Sequence, residues 1–178
     1  MNDLSGKKIA IIATDHFEEA ELVTPRDELA AAGAEVKVFS AGPEPIQAVE
    51  GDTEPTQKVR VDGTFGDLDI STYDALVVPG GTVNADTIRT DEDAQGIVRE
   101  ALEADKVVAV ICHGPWLLVS AGVAGGRRLT SYPSLSVDLT NAGATWVDEE
   151  VVVDGNLITS RNPDDLPAFV EAIGSALG

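Results

Sequence analysis

The sequence predicts an α/β fold, a doubly wound and mostly parallel sheet with helices on both faces. Three observations carry this. Short apolar runs rich in β-branched residues recur at residues 8–13, 35–39, 75–78 and 107–111; they are too short for helices, and they suit strands buried on both faces. Stretches with helix start and stop signals lie between them, so that strand, helix and strand fit within residues 8–39, the span of one βαβ unit. Two of the strands also end abruptly in turn residues, Pro79-Gly80-Gly81 and Cys112-His113-Gly114-Pro115, as expected where an open sheet forms a crevice at its carboxyl edge.

In chain order, residues 8–13 are a first buried strand and residues 14–17 a loop at its carboxyl end. A helix opens at Glu18-Glu19-Ala20-Glu21, with acids in the first turn where the helix dipole favours them. Pro25 interrupts or kinks it, and Gly33 stops it. Residues 35–39 are the second strand. Residues 40–57 carry Gly42, Pro43, Pro45, Gly51 and Pro55 with little periodicity and read as a surface excursion; residues 58–62 then form a short half-exposed strand. After the strand at 75–78, Thr90-Asp91-Glu92-Asp93 caps a helix running to about Ala104. Strand 107–111 leads through Cys112 into a helix that Pro115 suits at its first turn and Gly122 ends. A short segment at 128–130 precedes a helix across 134–142, stopped by Gly143. Residues 150–153 and 157–160 form a small β-hairpin about Asp154-Gly155-Asn156. Asn162-Pro163-Asp164-Asp165 starts a terminal helix with Leu166, Phe169, Val170, Ile173 and Leu177 on one stripe. No repeat or linker divides the chain, so residues 1–178 are read as one domain.

Acidic residues number 31 against 12 basic, for a formal net charge of -19 and a pI near 4.2. Such a surface repels phosphate backbones and anionic membranes, so neither nucleic acid nor a membrane is expected as a partner. The acids are spread along the chain, which points to a folded surface that stays soluble in concentrated salt, as in a halophilic source. The single cysteine excludes an internal disulfide framework and fits a reducing cytoplasm. Residues 1–8 lack the apolar segment of a signal peptide, and no run approaches the ~18 apolar residues of a membrane span, so a cytoplasmic protein is expected.

The chemistry concentrates at Cys112. A thiol at the tip of a tight turn between a strand and a helix N-terminus is placed where the helix dipole favours thiolate. The template is the Gly-x-Ser-x-Gly nucleophile elbow, although Val110 stands where its first glycine would be. A lone cysteine ending an apolar strand also fits an inert core position; the adjacent His113, one of two histidines, favours chemistry. The crevice rule brings residues 14–21, 79–82 and 112–114 to one carboxyl edge. There Gly80 and Gly81 could free backbone N–H groups toward a ligand or simply form a βα turn, and Glu18, Glu19 and Glu21 could be ordinary first-turn acids. His16 reads as a polar rim residue and Trp116 as core or pocket wall. No second cysteine or ligand spacing supports a metal site, and no cofactor is expected.

Together, Ile111-Cys112-His113-Gly114-Pro115, Val78-Pro79-Gly80-Gly81, the run from Asp15 to Glu21, Thr130-Ser131-Tyr132-Pro133, Asn141-Ala142-Gly143 and the segments 150–154 and 159–169 resemble the DJ-1/PfpI family, in its PfpI-like intracellular protease and stress-protein branch. The resemblance runs nearly end to end. It implies a flavodoxin-like sandwich with Cys112 as nucleophile, Glu21 beside it as a carboxyl that hydrogen-bonds the thiolate when protonated, and Glu18 as a second acid near the site. It further implies that His113 pairs with the cysteine and that the N–H groups of Gly80, Gly81 and His113 form an oxyanion hole. An acid from a neighbouring subunit completes the set in the protease-like members; Asp86 stands nearest to that position, in a stretch one residue longer here. Dimers or hexamers are implied. Three functions follow as expectations: a cofactor-independent hydrolase or lyase acting on small carbonyl compounds or glycated proteins, an intracellular cysteine peptidase acting on peptides, and a redox-responsive protein without turnover.

Overall fold

The computed structural model describes residues 2–178. In chain order it contains β1 (Lys8–Ile12), β2 (Phe17–Glu18), α1 (Glu19–Ala31), β3 (Glu35–Ser40), β4 (Ile46–Glu50), β5 (Glu54–Val59), β6 (Gly63–Thr64) and β7 (Ala75–Val78). The second half adds α2 (Thr82–Ile88), α3 (Glu92–Glu103), β8 (Val107–Ile111), α4 (Pro115–Ser120), β9 (Arg128–Leu129), α5 (Ser136–Asn141), β10 (Thr145–Trp146), β11 (Val151–Asp154), β12 (Leu157–Ser160) and α6 (Leu166–Leu177).

Seven strands form the main sheet in the order β11-β12-β8-β7-β1-β3-β6, parallel throughout except for the β11–β12 pair. Alternation along the central strands divides the core. On β8, Val108 and Val110 enter one cluster while Ala109 and Ile111 enter the other, and β1 and β7 divide in the same way. One cluster is closed by Ile97, Val98 and Ala101 of α3 with Leu117 and Leu118 of α4. Leu22 and Leu29 of α1, with Phe169, Val170 and Ile173 of α6, close the other. A sheet buried on both faces needs apolar residues at every position, which is why these strands read as unbroken apolar runs. The result is a flavodoxin-like α/β sandwich.

Several expectations are corrected. Residues 40–57 are not an irregular excursion: β4 lies there and pairs with β2 on one side and β5 on the other, burying Ile46, Ala48 and Val49. Pro55 is accommodated because β5 is the edge of this three-stranded sheet, where a missing N–H costs no ladder bond. The strand expected at 58–62 ends at Val59. Helix α1 starts at Glu19, with Glu18 extended at its N-cap, and runs through Pro25 as one element. Helix α2, a stretch left unassigned from sequence, forms around a fully buried Asn84. The helix expected at 134–142 is a 3₁₀ turn followed by the short α5. The hairpin is the rim of the main sheet, since β12 pairs in parallel with β8.

Among the described residues no helix is long and apolar enough to cross a membrane. Phe169 is fully buried, whereas Val137 on α5 is 64% exposed. Phe169→Ala should therefore destabilise the fold by ~3–5 kcal/mol and Val137→Ala by no more than about 0.5 kcal/mol, both measured by denaturant unfolding.

Candidate active site

Strands β8, β7 and β1 are neighbours in the sheet and parallel, so their carboxyl ends open side by side. Asn84 fastens two of these ends. Its Oδ1 accepts the N–H and hydroxyl of Thr14 at 2.6 and 2.9 Å, and its Nδ2 donates to the Gly80 carbonyl at 2.9 Å. Each polar atom of a buried amide is thereby engaged, which fixes the Pro79-Gly80-Gly81 turn against β1.

Cys112 follows β8 with φ +62°, the left-handed region that non-glycine residues avoid. Holding it there costs about 1–3 kcal/mol, and the surroundings impose it. The Cys112 N–H donates to the Ser160 carbonyl at 3.1 Å, and the Cys112 carbonyl accepts from the Tyr132 N–H at 2.8 Å. The half-matched elbow motif also has a structural explanation. A Cβ at Gly114 would lie 2.8 Å from Val110 Cγ1, so the valine fills the space that the glycine leaves.

The site residues expected from sequence fall into two groups. Cys112, His113 and Glu21 come together beside Gly80 and Gly81. Cys112 Sγ lies 3.2 Å from His113 Nδ1, and the two residues are only 7% and 6% exposed. Glu21 is fully buried; its Oε2 accepts the Gly80 N–H at 2.7 Å, while Oε1 has no conventional hydrogen-bond partner. A Cβ on Gly80 would sit 2.5 Å from Glu21 Oε2 and 2.7 Å from Cys112 Cβ, so only glycine lets the carboxyl and the elbow close on this turn. The Gly80 N–H is thus committed to Glu21, whereas those of Gly81 and His113 are directed at the sulfur and favour its ionisation. Of the three oxyanion donors expected, only these two are available for that purpose.

Glu18 and Asp86 make no hydrogen bond to the sulfur among the described residues. The Glu18 carboxylate accepts the N–H groups of Gly51 and Asp52, each at 3.1 Å, and so closes the β4–β5 turn. Asp86 is exposed on α2. His16 lies exposed in the loop after β1 with φ +64°.

Burial pushes the Glu21 carboxyl up to about 8, against the opposing hydrogen bonds from Cys112 and Gly80. Burial likewise pushes the thiol up, and a charged Glu21 pushes it further. Removal from water thus opposes the helix dipole expected to make the thiol acidic, and α4 is only 6 residues long. His113 is held below the usual imidazole range by burial, opposed by the charge of Asp52.

The imidazole is surrounded by Trp116, read from sequence as core or pocket wall, and by residues that sequence reasoning missed. Tyr132 stacks on the ring with centroids 4.6 Å apart, Trp116 meets it edge-on at 5.5 Å, and Arg89 lies over Trp116. Thr82 Oγ1 lies 3.4 Å from Nε2 and donates to Asp52 Oδ2 at 2.9 Å. Tyr132 stood in a segment already tied to the family resemblance, and Thr82 directly follows the double glycine; Asp52 carried no signal beyond a turn. No group of three or more His, Cys, Asp or Glu side chains that could hold a metal ion occurs among the described residues.

Comparison with known proteins fits this arrangement. The DJ-1/PfpI family pattern matches residues 7–176. Deglycase PfpI of Pyrococcus furiosus is 42% identical over 92% of this chain and 95% of its own length. Protein/nucleic acid deglycase 2 of Escherichia coli is 41% identical over 92% and 94%, and the putative cysteine protease YraA of Bacillus subtilis 40% over the same shares. The crystal structure of Drosophila melanogaster DJ-1beta superposes with a TM-score of 0.87 at 31% identity, covering 99% of this chain and 91% of that one. A two-domain protein of Anabaena variabilis with DJ-1/ThiJ/PfpI-like and ferritin-like domains gives a TM-score of 0.91 at 39% identity; 97% of this chain is covered, but only 48% of that one. By pattern, by relatives matched almost end to end and by fold, the chain belongs to the DJ-1/PfpI family.

Proposed function

We propose that this protein is a stress-protection enzyme that attacks small carbonyl compounds, or the carbonyl adducts they form on proteins, through Cys112. The observation that carries this reading is the buried contact of 3.2 Å between Cys112 Sγ and His113 Nδ1 on a strained elbow. A sulfur so nearly enclosed is reachable by a group the size of an aldehyde more readily than by a peptide strand. That favours a deglycase or glyoxalase-like activity, in keeping with the names of the Pyrococcus furiosus and Escherichia coli relatives, over the peptidase suggested by the name of the Bacillus subtilis one.

In this mechanism His113 takes the thiol proton and sulfur adds to the aldehyde carbon. The resulting oxygen is held by the N–H groups of Gly81 and His113, which a hemithioacetal frees from the sulfur. With methylglyoxal, a base moves the proton from the former aldehyde carbon to the ketone oxygen, and the hydroxyl proton of the hemithioacetal passes to the adjacent carbon as the thioester carbonyl forms. This yields a lactate thioester, and water releases lactate and the thiol without net oxidation. Neutral Glu21 assists by donating its proton toward the thiolate, because a carboxylate there would oppose it. Assembly into dimers or hexamers belongs to the same reading, as does a salt-rich working environment for so acidic a surface; unchanged folding after removal of salt would count against the latter.

Cys112→Ser should abolish lactate formation from methylglyoxal, and His113→Ala should lower kcat about 10²–10⁴-fold, both read by lactate assay. Retention of turnover in His113→Ala would remove the histidine from the mechanism. Glu21 also makes stability depend on pH. Its folded pKa of about 8 lies above the ordinary value of 4.5, so the native state holds a proton that the unfolded chain releases. The stability of the wild type relative to Glu21→Gln should therefore be greatest below about pH 4.5, fall as the pH rises toward 8 and level off above it, as followed by thermal unfolding of both proteins.

A further inference from the structure

The family resemblance implies an acid from a neighbouring subunit behind the cysteine–histidine pair. Here a carboxylate of the same chain already reaches the histidine through one intermediary. Asp52 Oδ1 accepts the Thr82 N–H at 2.7 Å and its Oδ2 accepts the Thr82 hydroxyl at 2.9 Å. An ionised carboxylate can only accept, so the one hydroxyl proton of Thr82 is committed to Asp52. Toward His113 Nε2, 3.4 Å away, the Thr82 oxygen is left as an acceptor. Nε2 is then the nitrogen that carries hydrogen, and Nδ1, facing the sulfur, keeps its lone pair.

The position of Asp52 is held from several sides. It adopts φ +66° in the turn between β4 and β5, directly after Gly51 at φ +59°. Successive N–H groups in such a turn make a small anion-binding concavity, and the Glu18 carboxylate occupies it. The Glu18 N–H in turn donates to the Gly80 carbonyl at 3.4 Å, so the turn that carries Asp52 is tied to the loop beside the sulfur. Other ionisable groups around the imidazole include Cys112 with Glu21 beside it, Tyr132 on its face and Arg89 beyond Trp116; the charge of Asp52 favours imidazolium.

We propose that Asp52, acting through Thr82, is the positioning acid of the Cys112–His113 pair, supplied by the chain itself and held in place by Glu18. This rests on the reading of Cys112 as nucleophile and His113 as its proton acceptor. Both residues act on the histidine and not on substrate, so their loss should alter the rate and its pH dependence and leave KM unchanged.

The test compares wild type with Asp52→Asn, Thr82→Val, Thr82→Ser and His113→Ala, in methylglyoxal turnover and in the pH profile of Cys112 alkylation by iodoacetamide. Asp52→Asn and Thr82→Val should each lower kcat about tenfold or more, at or below the low end of the 10²–10⁴ range for general acid–base catalysis, with KM unchanged. The alkylation limb assigned to the histidine should move to lower pH in Asp52→Asn, because an anion that favoured imidazolium has gone. Thr82→Ser should behave as wild type. Wild-type kcat and alkylation in both Asp52→Asn and Thr82→Val, with His113→Ala impaired, would overturn the proposal. So would losses that track a fall in melting temperature and are not rescued in Thr82→Ser. Should the wild type turn over no carbonyl, the enzymatic reading fails, and the alkylation profiles alone decide the role of Asp52.

Discussion

The site depends on a carboxyl group that has been taken entirely out of water. Glu21 leaves the first turn of α1 and is fully buried, and its one conventional partner is the Gly80 N–H. Burial of an ionised carboxylate without a cation is so costly that the group keeps its proton instead. That single fact orders the rest. It demands a glycine at position 80, since a Cβ would strike both the carboxyl and Cys112. It requires the Pro79-Gly80-Gly81 turn to be fixed, which Asn84 does from α2. It also supplies an acidic proton beside the sulfur that can answer a thiolate.

The thiol and the carboxyl therefore cannot be considered separately. Each is pushed up by burial, and each opposes the charge of the other. Ionising either group makes ionisation of the other harder, so the first proton to leave is a property of the pair. Backbone N–H groups of Gly81 and His113 favour charge on sulfur, whereas the Gly80 N–H favours charge on the carboxylate. A double glycine thus sets one N–H on each side of the balance.

Much of the fold was legible because sheets covered on both faces leave an unambiguous trace. The apolar runs of β1, β7 and β8 and the stripe on α6 follow directly from burial. Where tertiary contacts govern conformation, the trace disappears. Helix α2 contains Thr82, Val83, Asn84, Asp86 and Thr87, residues indifferent to helices on their own, and it is held by the buried amide of Asn84. Strand β4 hides between prolines because only three of its residues are buried. At the site, Cys112 and His113 were legible as an elbow, since a turn is local in sequence. The function of Asp52 was not, because its partner Thr82 is 30 residues away and meets it only after β4 and β5 have folded back. Glu18, which the family resemblance implied as a second acid near the site, sends its carboxylate to the turn of the β4–β5 hairpin, because it is an extended residue before a helix.

The acidic surface bears on the same balance from a distance. A net charge of -19 creates a potential that opposes any further negative charge, and so raises the cost of a thiolate and favours a neutral carboxyl. Exposed charges are screened within ~8 Å at physiological salt and within ~3 Å at 1 M, whereas interactions inside the enclosed site are hardly screened at all. As salt rises, the surface acids lose their influence on Cys112 while the N–H groups of Gly81 and His113 keep theirs. An uncharged carbonyl compound approaches such a surface without electrostatic penalty at any ionic strength. Burial and the groups next to the sulfur, not the field of the whole molecule, therefore set its tendency to ionise, and the surface remains free to be as acidic as solubility requires.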